Sequence, residues 1–200
     1  NGRPGPVMIE LPSDVGASEL NVDVDSYHSP TKSTQLPSKS NIKDTVSALL
    51  KAKNPIIWSG MGVLFSQSSE ELKELAELLS LPVYTSMPGK SGFDETHPLS
   101  LGAGSGATTA AAIKWLNESD LILALGTSLT RTPYARTIPE GKTIIHNVVS
   151  VEDINKDYNV EISLPGDTKE TIKLIIEEIK AQVGEKGKQR PEVIKEIQSV

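Results

Sequence analysis

The stretch DLILAL, residues 120–125, decides the fold. Five consecutive apolar residues follow the aspartate, and a run without polar alternation is typical of a strand that is covered on both faces. Strands of this kind occur in parallel sheets, where helices pack against each face of the sheet. The run therefore predicts a parallel sheet at the centre of an α/β domain.

The segments on either side of this strand alternate between helix and strand patterns. The predicted strands are residues 55–58, 82–85, 120–125, 143–147 and 160–164. The predicted helices are residues 41–52, 69–80, 107–117 and one that starts at 167, with a helical turn near 151–155 and a glycine-punctuated loop at 87–105. Alternating strands and helices with short connections imply right-handed crossovers. The sequence predicts an α/β, three-layer doubly wound parallel sheet of five to six strands, Rossmann-like and similar to the NAD- and FAD-binding domains of the DHS type.

Two of the predicted helices begin with a capping-box signal. Ser68 is followed three residues later by Glu71, and Asp167 is followed by Glu170. In a capping box the first side chain accepts a hydrogen bond from the backbone N–H three residues on, and the acidic side chain reaches back. We expect both helix starts to be stabilised in this way.

The two ends of the chain differ from the α/β repeat. Residues 5–12, GPVMIELP, alternate like a short strand, although no partner strand follows nearby. Residues 16–40 are rich in Ser, Asp, Pro, Thr and Lys, which is typical of a linker. The tail beyond Gly184 is charged and broken at Pro191, and we interpret it as a second linker. Because Asn1 stands within an apparent strand, we expect the chain to be a fragment of a longer polypeptide.

Composition excludes several classes of function. The net charge of −6 leaves no basic surface for nucleic acid, and the one short basic cluster lies at residues 186–190. No apolar run approaches the roughly 18 to 20 residues that span a bilayer. The absence of Cys excludes disulfides, thiolate metal sites and Cys nucleophiles. We therefore expect a cytoplasmic protein with no nucleic-acid or membrane partner.

Small or polar residues follow each of the first four predicted strands, at the edge of the sheet where ligands bind. The candidate cofactor-binding residues are Gly60, Gly62, Thr85, Gly89, Lys90, Gly104, Gly126, Thr127, Ser128 and Asn147. Such loops let a phosphate or a ring approach the backbone closely. An alternative is that the glycines only permit tight turns from strand to helix. Lys90 is the one cation placed to meet a phosphate.

Other catalytic or cofactor motifs are weak. Phe65 stands where the third glycine of a dinucleotide fingerprint belongs, which argues against an NAD dehydrogenase. The three histidines are far apart in the sequence and lack metal-ligand spacing. We interpret His97 as a residue that structures its loop by hydrogen bonding, and Asp94 and Glu95 beside it as solvated carboxylates. The sequence predicts no catalytic residue and no metal ligand.

Motifs at the start and in the middle of the chain match one enzyme family in combination. They are GRPGPV at 2–7, LPSDV at 11–15, NPII at 54–57 with Gly60 and Gly62, GKSG at 89–92 with Glu95, His97, Pro98, Leu99 and Gly102, DLILALGT at 120–127, and Gly166 with Asp167. In these motifs the chain resembles thiamin-diphosphate-dependent enzymes of the acetolactate synthase and pyruvate oxidase type. The resemblance covers about residues 1–183. It implies that residues 1–15 end a preceding pyrimidine-binding domain, 16–40 form a linker, 41–183 form the central domain, and 184–200 lead toward a third domain.

The resemblance implies a cofactor that this chain does not hold by itself. In the family, the first and third domains of neighbouring subunits hold thiamin diphosphate and Mg²⁺ between them. The diphosphate motif Gly-Asp-Gly is not completed here, because Thr168 follows Gly166 and Asp167, and no Asn follows Asn159. The chain is then the central domain of a 2-oxoacid decarboxylase or carboligase, inactive alone. Its implied partners are the other domains of a homo-oligomeric enzyme, a dimer or tetramer, and a small 2-oxoacid.

The central domain of some relatives holds FAD or ADP as a structural or regulatory ligand. FAD-binding relatives carry an Arg shortly after the glycine equivalent to Gly126, where Ser128 and Leu129 stand here. They also carry an acidic pair after the next strand, where residues 146–148 read His-Asn-Val. Both departures argue against FAD. The alternative function is a self-contained FAD- or ADP-binding module resembling electron-transfer flavoprotein or sirtuin-like domains.

Overall fold

The computed structural model describes residues 2–31 and 33–200, and the chain divides into two units, 1–34 and 35–200. The division falls within the segment 16–40 that the composition marks as a linker. In the first unit the described residues are all exposed, and their only helical elements are α1 (Ser13–Gly16) and a 3-10 turn (Val24–Ser26).

The strand predicted at residues 5–12 is wrong. These residues form no hydrogen-bonded ladder, and Val7 and Ile9 are exposed. A strand is stable only when its backbone groups pair with a neighbouring strand. No strand in residues 2–31 or 33–34 offers that pairing, so an alternating pattern alone was insufficient.

The second unit is built on a six-stranded parallel sheet. Its strands are β1 (Pro55–Ser59), β2 (Val83–Ser86), β3 (Ser100–Gly104), β4 (Leu121–Leu125), β5 (Thr143–Val148) and β6 (Ile162–Pro165). Their spatial order is β3-β2-β1-β4-β5-β6, and each neighbouring pair is parallel. The prediction of a doubly wound parallel sheet is confirmed, at the upper limit of the expected strand number.

Helices cover the sheet on both faces and complete three layers. The helices of this unit are α2 (Lys39–Lys51), α3 (Met61–Phe65), α4 (Ser69–Leu79), α5 (Ala110–Glu118), α6 (Thr168–Val183) and α7 (Pro191–Gln198), with 3-10 turns at Met87–Gly89 and Val151–Asp153. Helices α2 and α4 both pack against α6, and α5 packs against β3. Among the described residues, no helix combines the length and apolar character needed to cross a membrane.

The apolar run at 121–125 lies at the centre of the sheet, as its composition predicts. It pairs residue for residue with β1 on one side and with β5 on the other, and all five of its side chains are buried. Burying a Leu or Ile side chain contributes roughly 1.5 to 3 kcal/mol each. This strand therefore contributes strongly to the hydrophobic core.

The loop predicted at residues 87–105 is wrong in its last part, which forms β3. Gly102 and Gly104 give this strand little intrinsic β-propensity, so the sequence pattern did not reveal it. A Cβ on Gly104 would coincide with the hydroxyl end of Tyr84 in β2. Position 104 therefore needs a glycine, because the Tyr84 ring lies against the backbone of β3. This contact joins residues that are 20 positions apart in the sequence.

The predicted capping boxes are only partly present. The Ser68 hydroxyl donates to the Val63 carbonyl at 3.3 Å and makes no cap bond, so this prediction is wrong. The Glu71 carboxylate instead pairs with Lys169 at 3.1 Å. The Asp167 side chain does accept from the backbone N–H of Glu170, at 3.1 Å. The return bond from the Glu170 side chain to the backbone N–H of Asp167 is not formed, because that N–H donates to the Gln35 carbonyl at 2.9 Å.

The tail beyond Gly184 packs against the second unit. The backbone N–H of Lys188 donates to the Leu78 carbonyl at 2.9 Å, and Arg190 Nη1 donates to the Lys53 carbonyl at 2.8 Å. Val193 of α7 is buried in the core. The described tail is thus held by hydrogen bonds and apolar contacts. Its role as a linker toward a further domain stays a prediction.

Candidate functional site

The direction in which strands are added to the sheet reverses between β1 and β4. The chain first adds β2 and β3 on one side of β1, and it then adds β4, β5 and β6 on the other side. In open α/β sheets, ligands bind at such a reversal, beyond the carboxyl ends of the strands. The loops that follow β1, β2 and β4 all meet at this edge. This edge is therefore the candidate binding site.

The loops after β1 and β4 are joined directly by backbone hydrogen bonds. The N–H of Gly60 donates to the Leu125 carbonyl at 2.9 Å, and the N–H of Gly62 donates to the Gly126 carbonyl at 2.7 Å. A Cβ built on Gly62 would lie 2.6 Å from the Gly126 Cα. Gly126 also has a φ of +60°, which L-residues rarely adopt. Only glycines permit this approach.

The loop after β2 packs against the same glycines. A Cβ on Gly89 would lie 2.7 Å from the backbone carbon of Gly60. The space beside Gly60, Gly62, Gly89 and Gly126 is thus filled by neighbouring backbone. Tight packing between loops explains these four glycines without a ligand. By contrast, a Cβ on Gly106 would meet no atom within 4 Å, so this later glycine lies beside open space.

The other predicted residues near β2 and β3 differ in exposure. Thr85 is buried, and its hydroxyl lies 3.4 Å from the Gly102 carbonyl of the neighbouring strand. Lys90 is exposed and forms no salt bridge within residues 2–31 and 33–200. Gly104 is occupied by the contact with Tyr84. Lys90 alone of these three is free to reach a dissolved anion.

The predicted residues after β4 form a local turn. The Thr127 hydroxyl accepts from the backbone N–H of Leu129 at 3.2 Å, and the Ser128 hydroxyl lies 3.0 Å from that of Thr130. Leu129 has a φ of +48° and is buried. Both predicted hydroxyls therefore bond within their own turn.

Asn147 bonds inward, to the last strand and helix. Its side-chain amide nitrogen lies 2.9 Å from the Leu164 carbonyl, 3.2 Å from the Gly166 carbonyl and 3.1 Å from the Thr171 hydroxyl. The side chain is fully buried, and its amide oxygen has no hydrogen-bond partner in the described part of the chain. The amide therefore joins β5 to β6 and to α6.

Two buried groups at this edge were not predicted as site residues. His146 Nε2 lies 2.7 Å from the Thr127 carbonyl, and its Nδ1 has no partner among the described atoms. Burial lowers the pKa of His146, while the Thr127 carbonyl and the Asp153 carboxylate act in the opposite direction. Burial also raises the pKa of Tyr84 to about 12, against the positive charge of Arg136. The apolar residues around His146, in IIHNV, were the sequence signal for its burial.

The histidine in the loop after β2 has a structural role, as predicted. His97 Nε2 lies 3.1 Å from a Glu77 carboxylate oxygen, and its Nδ1 accepts from the backbone N–H of Leu99 at 3.2 Å. The Asp94 carboxylate accepts from the backbone N–H and the hydroxyl of Thr96, both at 2.8 Å. His97 thus joins its loop to α4, and Asp94 stabilises the turn at Thr96.

Within residues 2–31 and 33–200, no group of three or more His, Asp or Glu side chains could hold a metal ion. The four glycines that would form a phosphate cradle are packed against one another. The assignment of the ten predicted residues to cofactor binding stays a prediction.

Comparison with known proteins identifies the domain. The family model described as "Thiamine pyrophosphate enzyme, central domain" matches residues 42–175. The chain is 36% identical over 187 residues to a protein of Methanococcus aeolicus named probable acetolactate synthase large subunit, covering 89% of this chain and 31% of that protein. It is 35% identical over 192 residues to the acetolactate synthase large subunit of Buchnera aphidicola, covering 90% of this chain and 33% of that protein.

A solved structure shows the same fold. The crystal structure of benzoylformate decarboxylase from Polynucleobacter necessarius superposes with a TM-score of 0.68 at 24% identity, covering 86% of this chain and 33% of that one. The chain spans about a third of the length of the relatives it matches. It belongs to the thiamine pyrophosphate enzyme family and forms the central domain of that family.

Proposed function

We propose that this chain serves as the central domain of a thiamin-diphosphate- and Mg²⁺-dependent enzyme that decarboxylates a 2-oxoacid and joins the product to a second carbonyl compound. The match of the family model across residues 42–175 carries this proposal. The names of the relatives favour acetolactate formation over simple decarboxylation. The substrate class is then a small 2-oxoacid.

The central domain contributes packing and not chemistry in this proposal. The loops at its carboxyl edge pack against one another through backbone contacts, and the described residues include no group of three or more His, Asp or Glu side chains that could hold a metal ion. Thiamin diphosphate would supply the acyl-anion chemistry from sites in the other domains. The partners would be those domains, within a homo-oligomer in the cytoplasm.

The division of the chain fits this role. Residues 1–15 would end the preceding pyrimidine-binding domain, residues 16–40 would cross to the central domain, and residues 184–200 would lead to the third domain. The segment 188–193 is held against the central domain by hydrogen bonds and by the buried side chain of Val193, so the connection to a third domain would leave from a fixed position.

Nucleotide binding is a separate proposal. FAD or ADP would find an exposed cation in Lys90 and open space beside Gly106. The comparisons give no support to a self-contained flavoprotein-like or sirtuin-like module. A melting temperature that rises with ADP, or a yellow purified protein, would favour nucleotide binding.

The decisive experiment compares two proteins. The full-length gene product should turn over a 2-oxoacid only with thiamin diphosphate and Mg²⁺, and mass spectrometry should identify acetolactate when pyruvate is supplied. The 200-residue chain should show neither turnover nor heat of binding with the same cofactors. Cofactor binding by the short chain, or a full-length product without thiamin dependence, would contradict the proposal.

A further inference from the structure

Four large apolar side chains lie exposed at the carboxyl edge of the sheet, and we call them the apolar rim patch. They are Met61, Leu64 and Phe65 of α3 and Met87 of the adjacent 3-10 turn. Their exposed fractions are 39%, 37%, 57% and 52%. Residues spaced three and four apart share a helix face, so the three α3 side chains point the same way. Single exposed apolar residues need no explanation, but a contiguous group does.

The backbone beneath the patch is held rigidly. Helix α3 starts directly after Gly60, whose loop is bonded to the loop after β4. The turn that carries Met87 ends at Gly89, which packs against Gly60. A surface fixed in this way loses little conformational entropy when a partner covers it. The glycine packing at the edge therefore has a second consequence, which is a preorganised apolar surface.

The size of the patch favours a tethered partner. Side chains of this kind at these exposures present on the order of 400 Å² of surface, the size at which apolar patches are often functional. A stable complex between separate chains buries about 800 Å² on each partner. Interfaces between domains of one chain are smaller and benefit from a high effective concentration. The patch alone is too small for a dimer of this chain but large enough for a neighbouring domain.

We propose that the apolar rim patch is the docking surface for another domain of the same, longer polypeptide, which covers it with apolar side chains of its own. This inference rests on the proposed function, in which the chain is one domain of a larger enzyme. The relatives are long enough to contain further domains of this kind, since the chain spans about a third of their length.

The direct test is amide hydrogen exchange of the 200-residue chain and of the full-length protein under the same conditions. Exchange at residues 61–65 and 87–89 should slow by about tenfold or more in the full-length protein. The matched control is the turn at Val151, whose side chain is 57% exposed like that of Phe65. Unchanged rates at the patch, or equal slowing at Val151, would overturn the proposal.

Substitution provides the second test. Phe65→Ser and Met87→Ser should leave the urea midpoint of the 200-residue chain unchanged, since both side chains are largely exposed. In the full-length protein they should restore fast exchange across the patch, whereas Val151→Ser should not. A large loss of stability in the short chain would assign Phe65 to the domain's own core and overturn the proposal.

The remaining outcomes separate this inference from the proposed function. Concentration-dependent dimerisation of the short chain that Phe65→Ser abolishes would identify a second copy as the occupant, against the proposal. A thiamin-dependent full-length enzyme with an unprotected patch would overturn the docking inference alone. A protected patch in a full-length protein without that activity would support docking and overturn only the function.

Discussion

The Nε2 atom of His146 lies 2.7 Å from the carbonyl oxygen of Thr127, which joins β5 to the turn that follows β4. The imidazole is fully buried, and its Nδ1 finds no partner in the described part of the chain. Only a neutral ring suits this site, with the proton on Nε2 as the donor. A second proton on Nδ1 would place an unsatisfied charge in the core.

This geometry predicts a loss of stability in mild acid. The pKa of His146 is lowered on folding, so the unfolded chain takes up a proton near its ordinary pKa of about 6.5 before the folded chain does. The histidine's contribution is therefore intact above that pH and declines as pH falls toward the lower folded pKa. Urea unfolding at pH 7.5 and 5.5 should show this decline. His146→Gln should flatten it, whereas the same change at exposed His28 should not.

The backbone contact between Gly62 and Gly126 predicts a strong effect of one methyl group. Gly62→Ala should destabilise the chain by at least about 2 kcal/mol, because the new Cβ would meet backbone that cannot move aside. Gly106→Ala is the matched control and should change the free energy of unfolding by no more than about 0.5 kcal/mol. Urea unfolding measures both variants. Similar, small effects would contradict the close packing of these loops.

The buried hydroxyl of Tyr84 predicts a stabilising substitution. No described donor or acceptor satisfies this hydroxyl, and an unpaired buried polar group costs roughly 1 to 3 kcal/mol. Tyr84→Phe should therefore raise the free energy of unfolding or leave it unchanged. Tyr158→Phe should lower it by about 1 kcal/mol, because the Tyr158 hydroxyl accepts from the backbone N–H of Ile138 at 3.2 Å. If urea unfolding showed Tyr84→Phe to be less stable than Tyr158→Phe, the Tyr84 hydroxyl would not be the unpaired group.

The inward bonds of Asn147 predict that it stabilises the domain. Asn147→Ala should cost roughly 1 to 3 kcal/mol, since it removes the buried hydrogen bonds from the side-chain amide to the Leu164 and Gly166 carbonyls. Exposed Asn117→Ala should have little effect in the same unfolding experiment. If Asn147→Ala were well tolerated, the residue would be available for ligand binding after all.

Local patterns in the sequence predict a helix or strand correctly where the burial of that segment follows from its own periodicity. The run at 121–125 indicated a central parallel strand, and the stripe of apolar residues in α6 indicated a packed helix. The family motifs indicated the central domain of thiamin enzymes, which the family model confirms over residues 42–175. These features are encoded within short windows, because burial on one or both faces dictates which residues are apolar.

Only the tertiary structure decided how distant loops meet. The glycines after β1, β2 and β4 pack closely against one another's backbone, and their assignment to cofactor binding stays a prediction. Gly104 of β3 leaves room for the hydroxyl end of Tyr84, and Ser68 bonds Val63 instead of capping its helix. The sequence determined the α/β parallel sheet and the family, through patterns that each segment carries by itself. The packed loops at the carboxyl edge and the apolar rim patch beside them depend on contacts between residues far apart along the chain, which no local pattern encodes.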